Sequence, residues 1–452
     1  MGSELSELDY VCPLDWRYGS EEMRRLFRVE NIVRRYVDVE IAVMVGLEEA
    51  GLAPRGCAEA VRRCSSRLDP SEVYRRETSL GHDIASLAYL LGESCGECGK
   101  YVHLGATSYD IVDTAWALII RDALGLLRVK LRELIEKLSR LAREHREDLM
   151  VGRTHGQHAL PITVGFKFAN YVYELSRSYE RLNEVERRVV RSKISGAVGT
   201  MAGWLGRGLI VEEAASRYLG LEPHPITTQV APRDGFAELF TVLAILASQL
   251  DRFALEIREL SRTEIGEMYE SEARVGSSAM PHKRNPVTAE RISGLARIAR
   301  SLCVAALENI PLMHERDLTN SSAERILVPH AFLVVDQMLE DANKLIKVLN
   351  IDREAMLNNL ALTRGAIMTE AVTIRLVQKG VPRHEAHRML MEVTRAMKPG
   401  ETLEQALRNH EVLSKYLTAD EIRELMNPAN YLGNYLELIE RALRYSEKVV
   451  MR

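Results

Sequence analysis

The sequence predicts an all-α protein built on long helices. Apolar residues recur at three- and four-residue steps over long proline-free stretches, β-alternation is weak throughout, and clusters of Gly, Ser, Thr, His and Pro punctuate the chain between these runs. The longest run covers residues 110–150, DIVDTAWALIIRDALGLLRVKLRELIEKLSRLAREHREDLM. Others cover 165–192, 236 to about 272, 287–310 and 331–349. Runs of similar length argue for an extended bundle rather than a compact α/β domain. The segment before Tyr101 reads as shorter helices, and that after Ile351 as another helical unit broken near Pro382 and Pro399. The expected division is an N-terminal helical domain (1–105), a central long-helix domain (106–350) and a C-terminal helical domain (351–452).

Composition narrows the function. The 452 residues are 46% hydrophobic and 27% charged, with a formal charge of −4, which gives no support to a nucleic-acid-binding role. No stretch approaches the roughly 18 apolar residues of a membrane span, and the acidic start MGSELSELDYVCPLDW has no apolar leader core, so a cytosolic protein is expected. Arg outnumbers Lys, which favours arginine-built anion sites. Cys95 and Cys98 form a C-x-x-C with no second copy; a redox pair, half a zinc site and a structural disulfide are all compatible with it.

The polar clusters carry the chemistry. TSLGHDIAS sets His82 beside Asp83 at a helix start, where the pair can orient an imidazole towards a cleft. YVHLGATSYD supplies His103, Thr107 and Ser108, with Ser108 or Asp110 also suited to cap the next helix. In VGRTHGQHALPIT, His155 and His158 stand three apart, but Gly156 and Pro161 oppose a regular helix and no acidic residue or cysteine is near to complete a metal set. Acid–base work and a loop of satisfied histidines remain the two readings. VGSSAMPHKRNPVTAE combines Gly276 and paired serines with Lys283 and Asn285, stiffened by Pro281 and Pro286. It has the donors to hold a carboxylate whose charge grows during reaction. HERDLTNSSAERI offers Arg316, Ser321 and Arg325 as a phosphate grip, or Ser321 with Glu324 as a capping box.

HLGATSYD, RTHGQHALP and GSSAMPHKRNP, in that order along the chain, resemble the three signature regions of the fumarase/aspartase superfamily. Within it, Arg17-Tyr18, the HD pair, TTQ and SSAERI resemble the branch acting on succinylated purine nucleotides. A carboxymuconate cycloisomerase, which has a similar signature loop, and a non-catalytic helical scaffold are the alternatives. The resemblance implies a small-molecule nucleotide substrate, fumarate release, no metal or organic cofactor, and a homotetramer with a twenty-helix core whose sites are shared between subunits. It makes His155 the acid, Ser277 the base, and Glu290 the partner of His155. It has His82 assist the acid, and Lys283 and Asn285 bind the succinyl carboxylate. Arg17, Tyr18, Arg316, Ser321 and Arg325 would hold phosphate and ribose, with Asp83, Thr107, Ser108 and Gln229 completing the substrate contacts.

Overall fold

The structure, a computed structural model, describes residues 11–271, 280 and 282–450. Short helices come first: α1 (Glu21–Phe27), α2 (Val29–Glu49), α3 (Cys57–Ser65), α4 (Pro70–Leu80) and α5 (Asp83–Ser94). The long α6 (Ser108–Glu144) leads to a hairpin of β1 (Leu149–Thr154) and β2 (Gln157–Thr163), then α7 (Val164–Val189). The chain continues through β3 (Arg191–Ser192), α8 (Gly208–Leu219), β4 (Glu222–Pro223), α9 (Arg233–Leu260), β5 (Met268–Glu270), α10 (Val287–Glu308), α11 (Thr319–Val348) and β6 (Leu349–Ile351). It ends with α12 (Arg353–Ala361), α13 (Thr369–Gln378), α14 (Arg383–Ala396), α15 (Leu403–Asn409), α16 (Leu413–Tyr416), α17 (Ala419–Leu425) and α18 (Tyr435–Val450). The fold is all-α, with two-stranded β pairs as its sheet content among the described residues.

Two helix boundaries and one loop differ from the sequence reading. α9 stops at Leu260 rather than near 272, because the Ser261 hydroxyl turns back onto Arg258 O and Gly266 takes a φ of +63°. α11 begins at Thr319, twelve residues before the apolar run, and passes through Pro329. Its early turns face a cavity instead of a core, so they carry no apolar stripe. The segment expected as a loop at 151–163 is the hairpin: His155 and Gly156 both have positive φ (+53° and +74°) between the paired Thr154 and Gln157. Positive φ at both central residues is what a two-residue type I′ turn requires.

The residues group into two compact units. The first comprises 1–131, 178–250 and 292–341; the second comprises 132–177, 251–291 and 342–452. In the first, α2, α3, α5, the start of α6 and α8 enclose a core that includes Val39, Met44, Leu87, Ile111 and the buried Trp204. Gly46 lets α2 meet α8 closely, since a Cβ there would stand 2.5 Å from Val211 O. Cys57 is bonded to Cys98 and Cys64 to Cys95, so the C-x-x-C is neither an internal redox pair nor half a zinc site. In the second unit, the amphipathic helices α13 to α17 close around Val372, Leu376, Leu390, Leu403 and Leu413.

A buried ion pair stitches the loops of the first unit. Lys193 Nζ lies 2.5 Å from Asp110 Oδ1, and both side chains are fully buried. Asp110 also accepts from the amides of Thr107, Ser195 and Gly196, so it closes the α6 N-terminus and fixes the 193–196 loop together. Lys193→Met would leave that carboxylate buried without its cation. A loss of about 3–5 kcal/mol is expected, read as a lower denaturation midpoint; a midpoint equal to the parent's would show that the amides alone suffice.

Candidate active site

One cavity of about 500 Å³ in the first unit collects much of the predicted chemistry. His82 and Asp83 reach it from the start of α5, Ser108 from the start of α6, Ser321 and Arg325 from the early turns of α11, and Arg316 from the loop before α11. Gly81, at φ +69°, ends α4 and turns the chain directly into the HD pair. His82 then serves as N-cap of α5: its Nδ1 accepts the Ala85 N–H at 3.4 Å. That leaves the ring proton on Nε2, 3.1 Å from Ser108 Oγ, to which it donates. The exposed imidazole is therefore held at both nitrogens and faces the cavity.

The cationic side of the cavity is built by two arginines. Arg325 Nη2 donates to Asp83 Oδ2 at 2.8 Å, tying α11 to α5 across the cavity wall. Arg316 Nη1 donates to Gln229 Oε1 at 3.0 Å, and Gln229 Nε2 donates to Ala197 O at 2.9 Å. This links the TTQ stretch to the 193–203 loop. Gly199 permits that approach, because a Cβ there would lie 2.1 Å from Thr227 O at a φ of +90°. Nε and Nη2 of Arg316 are buried and have no hydrogen-bond partner among the described residues. Arg316 lines the cavity, and its guanidinium charge with donors not yet committed is suited to an anion there.

Several cavity residues escaped the sequence reading. Tyr36, Glu77, Tyr109, Val112 and Trp116 line it, and Tyr109, Val112 and Trp116 follow helical spacing along α6. That stripe was legible as apolar periodicity but looked like ordinary core. Burial, with the Asp83 carboxylate, holds the Tyr36 phenol well above its usual range. Beneath the cavity, buried Arg233 donates to Asp113 and to Glu324, joining the starts of α6, α9 and α11. Burial pushes the Glu324 carboxyl up to about 7 against the pull of Arg233. A cation in the first turn of α9 opposes the helix dipole, and that was the available signal for an acidic partner.

Other predicted residues lie outside this lining. Arg17 is exposed against the rings of Trp16 and Tyr18, and the turn after it is anchored by Gly19 and Ser20 amides on Gln337 and Asp336. Thr107 donates its amide to Asp110 rather than facing the cavity. In the second unit, His155 stands exposed at the β1–β2 hairpin tip. The hairpin is braced by Arg153, which forks onto the buried Glu267 at 2.8 and 2.6 Å, while Asn359 bonds the same carboxylate. Lys283 is exposed and Asn285 half-buried. Glu290 is exposed in the first turn of α10, and no bond joins it to His155 among the described residues. Ser277 lies outside the described residues. No cluster of three or more His, Cys, Asp or Glu suited to a metal, and no helix long and apolar enough to cross a membrane, occurs among the described residues.

Comparison with known proteins places the chain. A family profile described as "Lyase" matches residues 19–300, and one described as "Adenylosuccinate lyase C-terminus" matches 365–442. The adenylosuccinate lyase of Pyrococcus abyssi is 43% identical over 447 residues, covering 98% of this chain and 99% of that one. That of Methanothermobacter thermautotrophicus is 44% identical over 445 residues, with coverage of 97% and 99%. Among solved structures, the 3-carboxy-cis,cis-muconate lactonizing enzyme of Pseudomonas putida superposes with a TM-score of 0.88 at 32% identity, covering 96% of this chain and 99% of that one. A fumarate lyase from Mesorhizobium sp. BNC1 gives 0.87 at 33% identity, with coverage of 94% and 98%. Both the full-length likeness and the C-terminal profile point one way: the chain belongs to the adenylosuccinate lyase family of the fumarase/aspartase superfamily.

Proposed function

We propose that the protein eliminates fumarate from adenylosuccinate, giving AMP, and from the succinylated aminoimidazole carboxamide ribotide SAICAR, giving AICAR. The observation carrying this reading is the cavity with an unpaired Arg316 edge, Arg325, Ser321 and His82, a set of donors that fits a nucleotide phosphate. In the proposed chemistry, Ser277 removes the Cβ proton of the succinyl group. The C–N bond then breaks, its electron pair goes to the leaving nitrogen, and His155 supplies the proton that nitrogen takes up. Lys283 and Asn285 hold the carboxylate on which charge accumulates. Exclusion of water from the site would help a hydroxyl act as base. In a homotetramer with sites shared between three subunits, the exposed His155 would be given to a neighbouring copy's site. A cytoplasmic enzyme of purine nucleotide synthesis, organised in three helical domains, completes the reading.

The test is fumarate release from purified protein incubated with each nucleotide; no turnover of either would end the proposal. Arg325→Ala is expected to raise KM for both by about ten- to a hundredfold, the worth of a charge-assisted contact. An unchanged KM, with turnover of a carboxymuconate instead, would favour a substrate without phosphate.

A further inference from the structure

Tyr109 stands between Ser108 and Asp110 in the first turn of α6 and is 5% exposed. The Cζ of Arg316 lies 3.7 Å from the centre of its ring, a distance at which the guanidinium rests on the π face. The Ser321 side chain, at the start of α11, is near enough to pull the phenol's pKa down against its burial. The Arg233 guanidinium is 5.9 Å from the same ring and is neutralised by Asp113 and Glu324. The ring thus carries one proposed phosphate ligand, lies near a second, and packs on the buried network below them.

The free atoms of Arg316 give this contact a purpose. With Nη1 committed to Gln229, the remaining Nε and Nη2 form one edge of the guanidinium, whose two N–H bonds point the same way. Such an edge takes two oxygens of one phosphate or carboxylate. An arginine free to rotate would lose rotamer entropy on binding and could turn the edge away. Stacked on the ring and bonded to Gln229, it is restrained about both its plane and its in-plane rotation.

We propose that Tyr109 is a positioning residue for anion recognition: its ring fixes the Arg316 fork, so that the guanidinium meets the substrate phosphate already oriented. This rests on the functional reading above. It adds that a residue placed among helix-capping side chains sets affinity for the phosphate end and leaves the succinyl end alone.

The experiment compares Tyr109→Leu and Tyr109→Phe, measuring KM and kcat for adenylosuccinate and the inhibition constants of inorganic phosphate and of fumarate. In Tyr109→Leu, KM and the phosphate constant should rise about ten- to thirtyfold, the scale of a desolvated cation–π contact. The fumarate constant and kcat should stay within about threefold. Tyr109→Phe should restore most of the phosphate affinity. Equal weakening of phosphate and fumarate would mean general damage and overturn the proposal, as would no change in either. If the leucine variant does not fold, Tyr109→Met fills similar volume without a π face and is read by the same ratio. Arg316→Ala serves as control: a raised phosphate constant there with none in the Tyr109 variants sinks this inference and leaves the functional reading intact. If the parent turns over neither nucleotide, that reading fails. Phosphate titration of the same variants by calorimetry still decides whether Tyr109 orients Arg316.

Discussion

Replacing His155 is expected to lower kcat by about a hundred- to ten-thousandfold, the range for losing a positioned general acid. The hairpin geometry dictates how to make the change. His155 has a φ of +53°, a region in which alanine is strained by roughly 1–2 kcal/mol and asparagine is tolerated. His155→Asn therefore isolates the proton, whereas His155→Ala also perturbs the turn. Both should leave the hairpin in place, because Arg153, Glu267 and Asn359 brace it from below. Steady-state assays beside thermal unfolding give the answer: an asparagine variant with parental kcat would strip His155 of the acid role. Ser277→Ala should fall as far, since without a base the Cβ proton stays on carbon. Full activity in that variant would move the base elsewhere.

The sequence made the cavity's polar lining more legible than the scaffold beneath it. The sequence singles out His82, Asp83, Ser108, Arg316, Ser321 and Arg325 as polar residues at helix starts and in a phosphate-grip pattern, and the structure gathers all six around one cavity. Polar residues at helix starts betray themselves because water-facing turns do not need arginines in register with serines. Tyr109 and Trp116 could not be singled out this way. An aromatic on an apolar stripe has the same pattern whether it backs a cavity or fills a core. Arg233 was hidden for another reason, since its partners Asp113 and Glu324 come from helices far away in sequence.

Backbone features separated along the same line. Apolar periodicity marked the long helices well where they are buried, and failed at the start of α11, whose first turns face the cavity. The hairpin at Leu149–Thr163 was read as a loop because His155-Gly156 is a turn pair framed by too few alternating residues to announce strands. Pairing of the cysteines was beyond any spacing rule. Cys57 and Cys64 stand seven apart on one face of α3, while Cys95 and Cys98 follow α5, and their meeting depends on how α3 packs against α5.

Those two disulfides should supply a large share of the stability of the N-terminal helices. Cys57–Cys98 closes a separation of 41 residues and Cys64–Cys95, nested inside it, one of 31. Opening one while the other remains frees only a ring made of residues 57–64 and 95–98, worth about 3 kcal/mol of chain entropy. Opening the second releases the longer loop as well, worth about 4 kcal/mol more. Replacing all four cysteines with serine should therefore destabilise this region more than twice as much as replacing one pair. Partial burial of new hydroxyls adds to the loss in both cases, because Cys57 is 1% and Cys95 9% exposed. Urea unfolding followed by amide exchange in α3 and α5 would measure it residue by residue. A four-serine variant as protected as its parent would mean that packing against Val61, Leu87 and Leu91 holds these helices, and that the sulfur bridges add nothing to it.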